Sequence, residues 1–200
     1  MKQDDELMNN SAQQTLGQVT QPVVDKYPVA LRVLHWVRAV LIVGLIAAGW
    51  IMTSLDDATA AKFTQLYPLH KSFGLLALLI VLVQLAIRAV SRLPGPAELP
   101  AHERVLSHIV HVAIYALAVI VPLMGYAMSS TFSQSDGVTF FGLHVPELLP
   151  KNDAWSSNFA LLHKTLAYTL LALVALHVLG ALKHRFFDKN PKADVLPRML

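Results

Sequence analysis

The stretch LLHKTLAYTLLALVALHVLGALKHRF, residues 161–186, decides how the rest of this sequence is interpreted. It is apolar for long enough to cross about 30 Å of hydrocarbon at 1.5 Å per residue. Two histidines interrupt it, His163 and His177, and a polar ring at membrane depth must find a partner or cost several kcal/mol. Their spacing leaves the rings about 40° apart in azimuth and about 21 Å apart along the axis. One helix face therefore presents two imidazoles at two depths.

The composition of the whole chain agrees with a membrane protein. Of the 200 residues, 54% are hydrophobic and 14% are charged, whereas a soluble domain has about a quarter of its residues charged. The absence of cysteine excludes disulfides, iron–sulfur clusters, thiolate catalysis and covalent c-type haem attachment. The net charge of +3 comes from basic residues beside the apolar segments and not from an isolated basic face, so we expect no nucleic-acid partner.

Four apolar segments, each bounded by Pro, Gly or charge, predict four transmembrane helices, at residues 29–53, 68–90, 104–128 and 158–185. The fold class predicted is an all-α membrane protein, a four-helix bundle. The Pro-rich residues 91–100 form a short connector between the second and third helices.

Three further segments complete the predicted organisation. Residues 1–27 are a polar, flexible N-terminal tail, residues 28–190 form the transmembrane domain, and residues 191–200 are a cytoplasmic C-terminal tail. The connector at residues 129–157 is longer than most loops. Such length indicates a functional or lid-like segment.

The distribution of Lys and Arg predicts the orientation. On one side of the predicted helices lie Lys26, Arg32, Arg38, Arg88, Arg92, Arg104, Lys183, Arg185, Lys189, Lys192 and Arg198. On the other side lie Lys62, Lys71, Lys151 and Lys164. The positive-inside rule therefore puts both termini and the proline connector in the cytoplasm. Below, "inner" means this predicted cytoplasmic end and "outer" means the opposite end.

Four of the nine histidines fall into two pairs by depth. His35 lies early in the first helix and His177 late in the fourth, so both belong to the inner half, whereas His70 and His163 both belong to the outer half. Each pair brings together two imidazoles from facing helices, in a bundle without thiols. This arrangement favours two bis-histidine b-type haems. His108 and His111 lie at the level of the inner pair and either is an alternative ligand there, although the residue pattern favours His35.

Haem propionates need cations near the headgroups. Arg32, Arg38 and Lys183 are placed for the inner haem. Lys71 and Lys164, each directly after a proposed ligand, are placed for the outer haem.

The successive motifs resemble those of a known family, the bacterial four-helix cytochrome b561 family, over roughly residues 28–190. The motifs are RVLHWVRA, LHKSFGLL followed by IRAVSRLPGP, SHIVHVAIYALAVIVPLMGY, LLHKTLAY and LHVLGALKHRFFDK. The resemblance implies a di-haem electron carrier, multi-pass in the bacterial inner membrane. It assigns His35 and His177 to the cytoplasmic-side haem, and His70 and His163 to the periplasmic-side haem.

Some members of this family are superoxide oxidases, which pass electrons from superoxide to ubiquinone. The resemblance thus implies a superoxide:ubiquinone oxidoreductase or a carrier with another periplasmic donor. Acidic residues outnumber basic ones in the outer connectors, which argues against attraction of an anionic radical. His184 falls near a proposed quinone pocket, where an imidazole could deliver a proton to the reduced quinone. An ordinary interfacial base is the equally supported interpretation of His184.

Two other functions compete with this one. The chain could be the haem-bearing membrane anchor of a larger respiratory dehydrogenase or hydrogenase, which a co-purifying partner would indicate. It could also be a transporter that uses its histidines for a metal or protons. Transporters are typified by inverted repeats or broken helices, and neither is evident in the sequence.

Overall fold

Residues 26–200 are described here from a computed structural model. Four long helices dominate it: α1 (Val29–Ser54), α2 (Tyr67–Val90), α3 (Ala101–Thr131) and α4 (Asp153–Phe186). Each is long and apolar enough to cross a membrane, with a mean hydropathy of at least 2.0 over its best window. This confirms the predicted four-helix membrane protein. The predicted tail at residues 1–27 lies almost entirely outside the described residues.

The helices extend beyond the predicted segments because local polar contacts continue them. A π-helical turn at Lys62–Leu66 leads directly into α2. The Asn152 side chain accepts a hydrogen bond from the backbone N–H of Trp155 and so begins α4 five residues earlier than predicted. Hydrophobicity alone cannot locate these ends, since they lie where the chain leaves the apolar layer.

The apolar centre of the bundle lies midway between the two histidine depths. All four helices contribute to this cluster, which consists of Ile42, Leu78, Val81, Val110, Ile114, Ala118 and Leu170. Leu170 is midway between His163 and His177 in sequence, which places the cluster about 10 Å from each level. The two histidine pairs are thus separated by packed aliphatic side chains.

The long outer connector contains a β-hairpin, which the sequence did not predict. Strands β1 (Val138–Phe140) and β2 (Leu143–Val145) are antiparallel, with Thr139 opposite His144. The two turn residues, Phe141 and Gly142, have φ values of 48° and 91°. Positive φ at both positions is typical of the tight turns that match the twist of paired strands, and Gly142 accepts it without strain.

This hairpin is attached to α2 just after His70. Lys71 Nζ donates to the Gly137 carbonyl at 2.9 Å. The Ser72 hydroxyl accepts from the Phe141 N–H at 3.1 Å and lies 3.0 Å from the Thr139 carbonyl. The connector is therefore an ordered cover at the outer end of the bundle.

At the opposite end, the last ten residues pack against the start of α1 and the proline connector. The Tyr27 N–H donates to the Arg198 carbonyl, and Trp36 Nε1 donates to the Met199 carbonyl at 2.9 Å. Lys192 pairs with Glu98 at 2.9 Å. The first described residues and the last ones therefore lie at the same end of the bundle.

Candidate functional site

The outer histidine pair joins α2 to α4. The ring centres of His70 and His163 are 6.2 Å apart, with their planes at 80°. His163 Nδ1 lies 2.9 Å from the Val121 carbonyl oxygen. A carbonyl only accepts, so Nδ1 carries the proton and donates it. This bond leaves the lone pair of His163 on Nε2, the tautomer that a metal ligand requires.

The inner pair joins α1 to α4. The ring centres of His35 and His177 are also 6.2 Å apart, with their planes at 63°. His111 on α3 is closer to His177, at 4.9 Å, and its Nδ1 lies 2.6 Å from the Ser107 carbonyl of its own helix. His108 is exposed on the surface of α3. The structure brings together His35, His177 and His111 but leaves His108 outside the group.

Ring separation tests whether these pairs fit a shared metal ion. A metal–imidazole bond of about 2.0 Å, with the ring centre about 1.2 Å beyond the nitrogen, places two opposed ring centres about 6.4 Å apart. Both 6.2 Å pairs agree with this value, whereas the 4.9 Å between His111 and His177 is too short. Neutral imidazoles in an apolar, thiol-free bundle are the donor set of bis-histidine b-type haem, and these residues fit that group.

Each helix contributes one residue at each of the two depths, always at an interval of fourteen residues. The pairs, in helix order, are His35 and Gly49, His70 and Gln84, His111 and Gly125, and His163 and His177. We call the level of His35, Gln84, His111 and His177 the inner layer, and the level of Gly49, His70, Gly125 and His163 the outer layer. In the inner layer the proposed ligand pair shares its level with two polar side chains, Gln84 and His111. In the outer layer the pair shares its level with two glycines, Gly49 and Gly125.

The two outer-layer glycines lie against the outer histidines. A Cβ on Gly49 would lie 3.9 Å from the His70 ring, and one on Gly125 would lie 3.0 Å from two atoms of the His163 ring. The Gly125 contact is tighter than almost any real Cβ contact. Gly125 therefore leaves the space that the His163 imidazole occupies.

Arg38 lies one helical turn further into the membrane than His35. Only 6% of it is exposed, and its guanidinium lies 4.6 Å from the centre of the Tyr115 ring. Within residues 26–200 its Nη1 has no hydrogen-bond partner. A buried cation with an unpaired donor beside the inner pair is suited to an anionic group such as a propionate.

The two lysines predicted for the outer haem are placed differently. Lys71 Nζ is bound to the Gly137 carbonyl of the hairpin. Lys164 is exposed on another face of α4, in a shallow groove with Thr165 and Tyr168. The structure therefore does not bring either ammonium group to the His70–His163 pair.

His184 lies in a charged cluster at the inner end of α4. Its Nδ1 is 2.6 Å from Asp188 Oδ2 and 3.8 Å from Glu103 Oε2, and its side chain is 10% exposed. Lys183 contacts the same two carboxylates, at 2.5 Å and 3.2 Å. The His184 hydrogen bond, and after it the Lys183 contact, hold the pKa of Asp188 below its ordinary value despite partial desolvation. His184 is therefore a carboxylate-paired imidazole and not a solvated one.

Sequence reasoning missed Gln84 and Tyr115. Gln84 is 2% exposed, and its Oε1 has no partner in the described part of the chain. The signal for Gln84 was present, because it follows His70 at the same interval that separates His163 from His177. Tyr115 carried no such signal, since its contact with Arg38 depends on how α1 and α3 pack.

Comparison with known proteins gives two kinds of similarity. The model of a protein family described as prokaryotic cytochrome b561 matches residues 26–200. The chain is 33% identical over 184 residues to cytochrome b561 homolog 2 of Escherichia coli (strain K12), covering 88% of this chain and 92% of that protein. It is 25% identical over 171 residues to the probable superoxide oxidase CybB of Yersinia pestis, covering 84% and 91%.

Proposed function

The chain belongs to the prokaryotic cytochrome b561 family, and we propose on this premise that it carries two b-type haems and conducts electrons between a periplasmic donor and membrane quinone. Electron transfer in a bacterial membrane is the activity of this family, and b-type haem is the cofactor that membership implies. Our proposal adds four points to this: the number of haems, the electron donor, the quinone and the orientation in the membrane.

The main support for the proposal is that the two histidines are equally far apart within each pair. His35 and His177 would hold the inner haem, and His70 and His163 the outer one, each pair at 6.2 Å between ring centres. When bound, each haem supplies reversible one-electron chemistry at its iron. The protein supplies ligation and orientation, and the apolar centre of the bundle excludes water between the two levels.

Other side chains have supporting roles in this proposal. The Val121 carbonyl holds the His163 ring in the tautomer that a ligand needs. Arg38 would pair with an inner propionate through its unpaired Nη1. Lys71 and Lys164 remain predicted propionate partners, and Lys71 would first have to leave the Gly137 carbonyl.

The quinone would be reduced at the cytoplasmic end, with His184 as the proton donor. Its hydrogen bond to Asp188 supports this role, because the contact is made through Nδ1 and leaves Nε2 for the quinone oxygen. The likeness to a probable superoxide oxidase supports superoxide as the donor. Outer charges count against it, because Lys62 and Lys151 are already paired with Asp57 and Glu147.

The proposal is tested by purifying the protein and measuring its haem. We expect a red sample with a b-type spectrum and about two haems per chain by the pyridine haemochrome assay, as bis-histidine ligation at both pairs requires. A well-folded but haem-free protein would contradict the proposal. Quinone reduction by superoxide, compared with reduction driven by other periplasmic donors, then identifies the donor.

A further inference from the structure

The charges around the two histidine pairs differ. The inner layer has Gln84 and His111 beside its histidine pair, with the buried Arg38 one turn away. The outer layer has Gly49 and Gly125 at the corresponding positions. Any group bound between the inner histidines therefore lies near a buried positive charge, and the glycines offer no counterpart to it in the outer layer.

Arg38 is the source of that charge. A guanidinium stays protonated in proteins, so Arg38 remains a cation even at 6% exposure. It follows His35 by three residues on α1, so the two side chains are neighbours on one helix face. Its guanidinium also contacts Tyr115, which lies one turn after His111 on α3. In low-dielectric surroundings such a charge is screened far less than one at the surface.

The outer pair is surrounded by a different set of charges. The ammonium of Lys71 donates to the Gly137 carbonyl just before β1. The Glu147 carboxylate lies against Gly137 but is itself paired with Lys151 at 2.8 Å. Lys164 is exposed on another face of α4, where water screens its charge. Neither lysine is therefore placed beside the outer pair as Arg38 is placed beside the inner one.

We propose that Arg38 makes the inner haem the more easily reduced of the two, which favours the transfer from the outer to the inner pair that the proposed function requires. The inference rests on the proposed function, since it requires a haem at each pair. Reduction of a ferric iron to ferrous lowers the local positive charge by one, and a fixed cation nearby stabilises the reduced form.

The electron balance follows from this order. A one-electron donor on the outer side would be oxidised, and haems held by His70 with His163 and by His35 with His177 would carry its electron to the inner side. Membrane quinone is the terminal oxidant, and two such electrons with two protons convert one quinone to quinol. Arg38 takes no part in bond making; it sets the relative potentials of the two centres.

The experiment is a spectroscopic redox titration of the purified, haem-loaded protein and its variants. His163→Ala removes the outer pair, and we expect the remaining component to be the one with the higher midpoint. Arg38→Gln should lower the ratio of reduced to oxidised inner haem at fixed potential by about tenfold. This corresponds to a decrease of about 59 mV in the midpoint of a one-electron couple. Arg38→Lys, which keeps the charge, should stay close to the unmodified protein.

Arg104→Gln is the matched control, because it removes a cation from the exposed surface at the same end of the bundle. We expect it to leave both midpoints in place. Two haems with unchanged midpoints in Arg38→Gln, or a lower midpoint for the component that survives in His163→Ala, would overturn the inference while leaving the proposed function intact. If Arg38→Gln loses its haem, the two midpoints of the unmodified protein are compared with the one that survives in His163→Ala. A surviving midpoint that is the lower of the two overturns the inference. A haem-free unmodified protein would instead overturn the proposed function.

Discussion

Gly125 lies so close to the imidazole of His163 that a Cβ added to it would come within 3.0 Å of two ring atoms. The same ring donates to the Val121 carbonyl on the same helix as Gly125. The position of the ring is thus determined by α3 as well as by its own helix. This relationship makes a glycine in one helix a requirement for the position of a proposed ligand in another.

Gly125→Ala should therefore weaken the proposed outer haem site without changing either proposed ligand. The added methyl makes the His163 ring shift by a few tenths of an ångström and strains its bond to Val121, so we expect partial loss of one haem per chain by the pyridine haemochrome assay. Gly44→Ala is the matched control, since a Cβ there meets no atom within 4 Å among residues 26–200. Equal haem content in the two variants would show that this contact does not position the ligand.

Single histidine variants test the two proposed haem sites separately. We expect His35→Ala to lose the proposed inner haem and His163→Ala the outer one, each reducing the haem content from about two to about one per chain because one of two ligands is removed. His111→Ala should keep both haems, since its ring is too close to His177 to share a metal with it. Loss of a haem in His111→Ala with retention in His35→Ala would reverse the inner assignment.

Ser72 attaches the outer hairpin to α2, and its removal should loosen that hairpin. Ser72 is 3% exposed, and Ser72→Ala leaves the Phe141 N–H without its acceptor. We expect a loss of about 0.5–1.5 kcal/mol in the free energy of unfolding, the net contribution of a hydrogen bond, because Phe141 is half exposed. Thermal unfolding and amide exchange across residues 138–145 measure the effect.

Ser157→Ala is the control for this variant, because among residues 26–200 the exposed Ser157 hydroxyl bonds only a carbonyl of its own helix. It should be nearly neutral. Unchanged exchange of the hairpin amides in Ser72→Ala would mean that the hairpin is held by its other contacts.

Asp188 predicts a pH dependence of stability. Its pKa in the folded protein lies below the ordinary value, chiefly because His184 donates to it. A depressed carboxylate pKa contributes stability above the unfolded value of about 3.9, and that stability is lost as the pH falls through the folded value. We expect Asp188→Asn to have a lower Tm than the unmodified protein at pH 7, with the difference shrinking as the pH falls below about 4. The exposed Asp136, changed to Asn, provides the comparison, and a difference that persists undiminished in acid would exclude this linkage.

The four helices and the pairing of histidines by depth could be predicted from the sequence. Long apolar segments cross a membrane because the hydrocarbon layer has a fixed thickness, and residue number along such a helix converts directly into depth. This reasoning placed His35 level with His177, and His70 level with His163, before their separations were known. It could not place the Lys71 ammonium, because the long, flexible side chain can extend in several directions. The hairpin carbonyl that accepts its hydrogen bond was not predicted.

Which residues lie at which depth follows from the sequence alone, since in a membrane helix the depth depends on position along a single axis. Which side chains meet at each depth depends on how the helices pack. The tertiary structure placed His111 against His177 at 4.9 Å and His35 opposite it at 6.2 Å, and it put Arg38 on the ring of Tyr115. Those contacts depend on the rotation and spacing of neighbouring helices, which are set by the packing of side chains that are far apart in the chain.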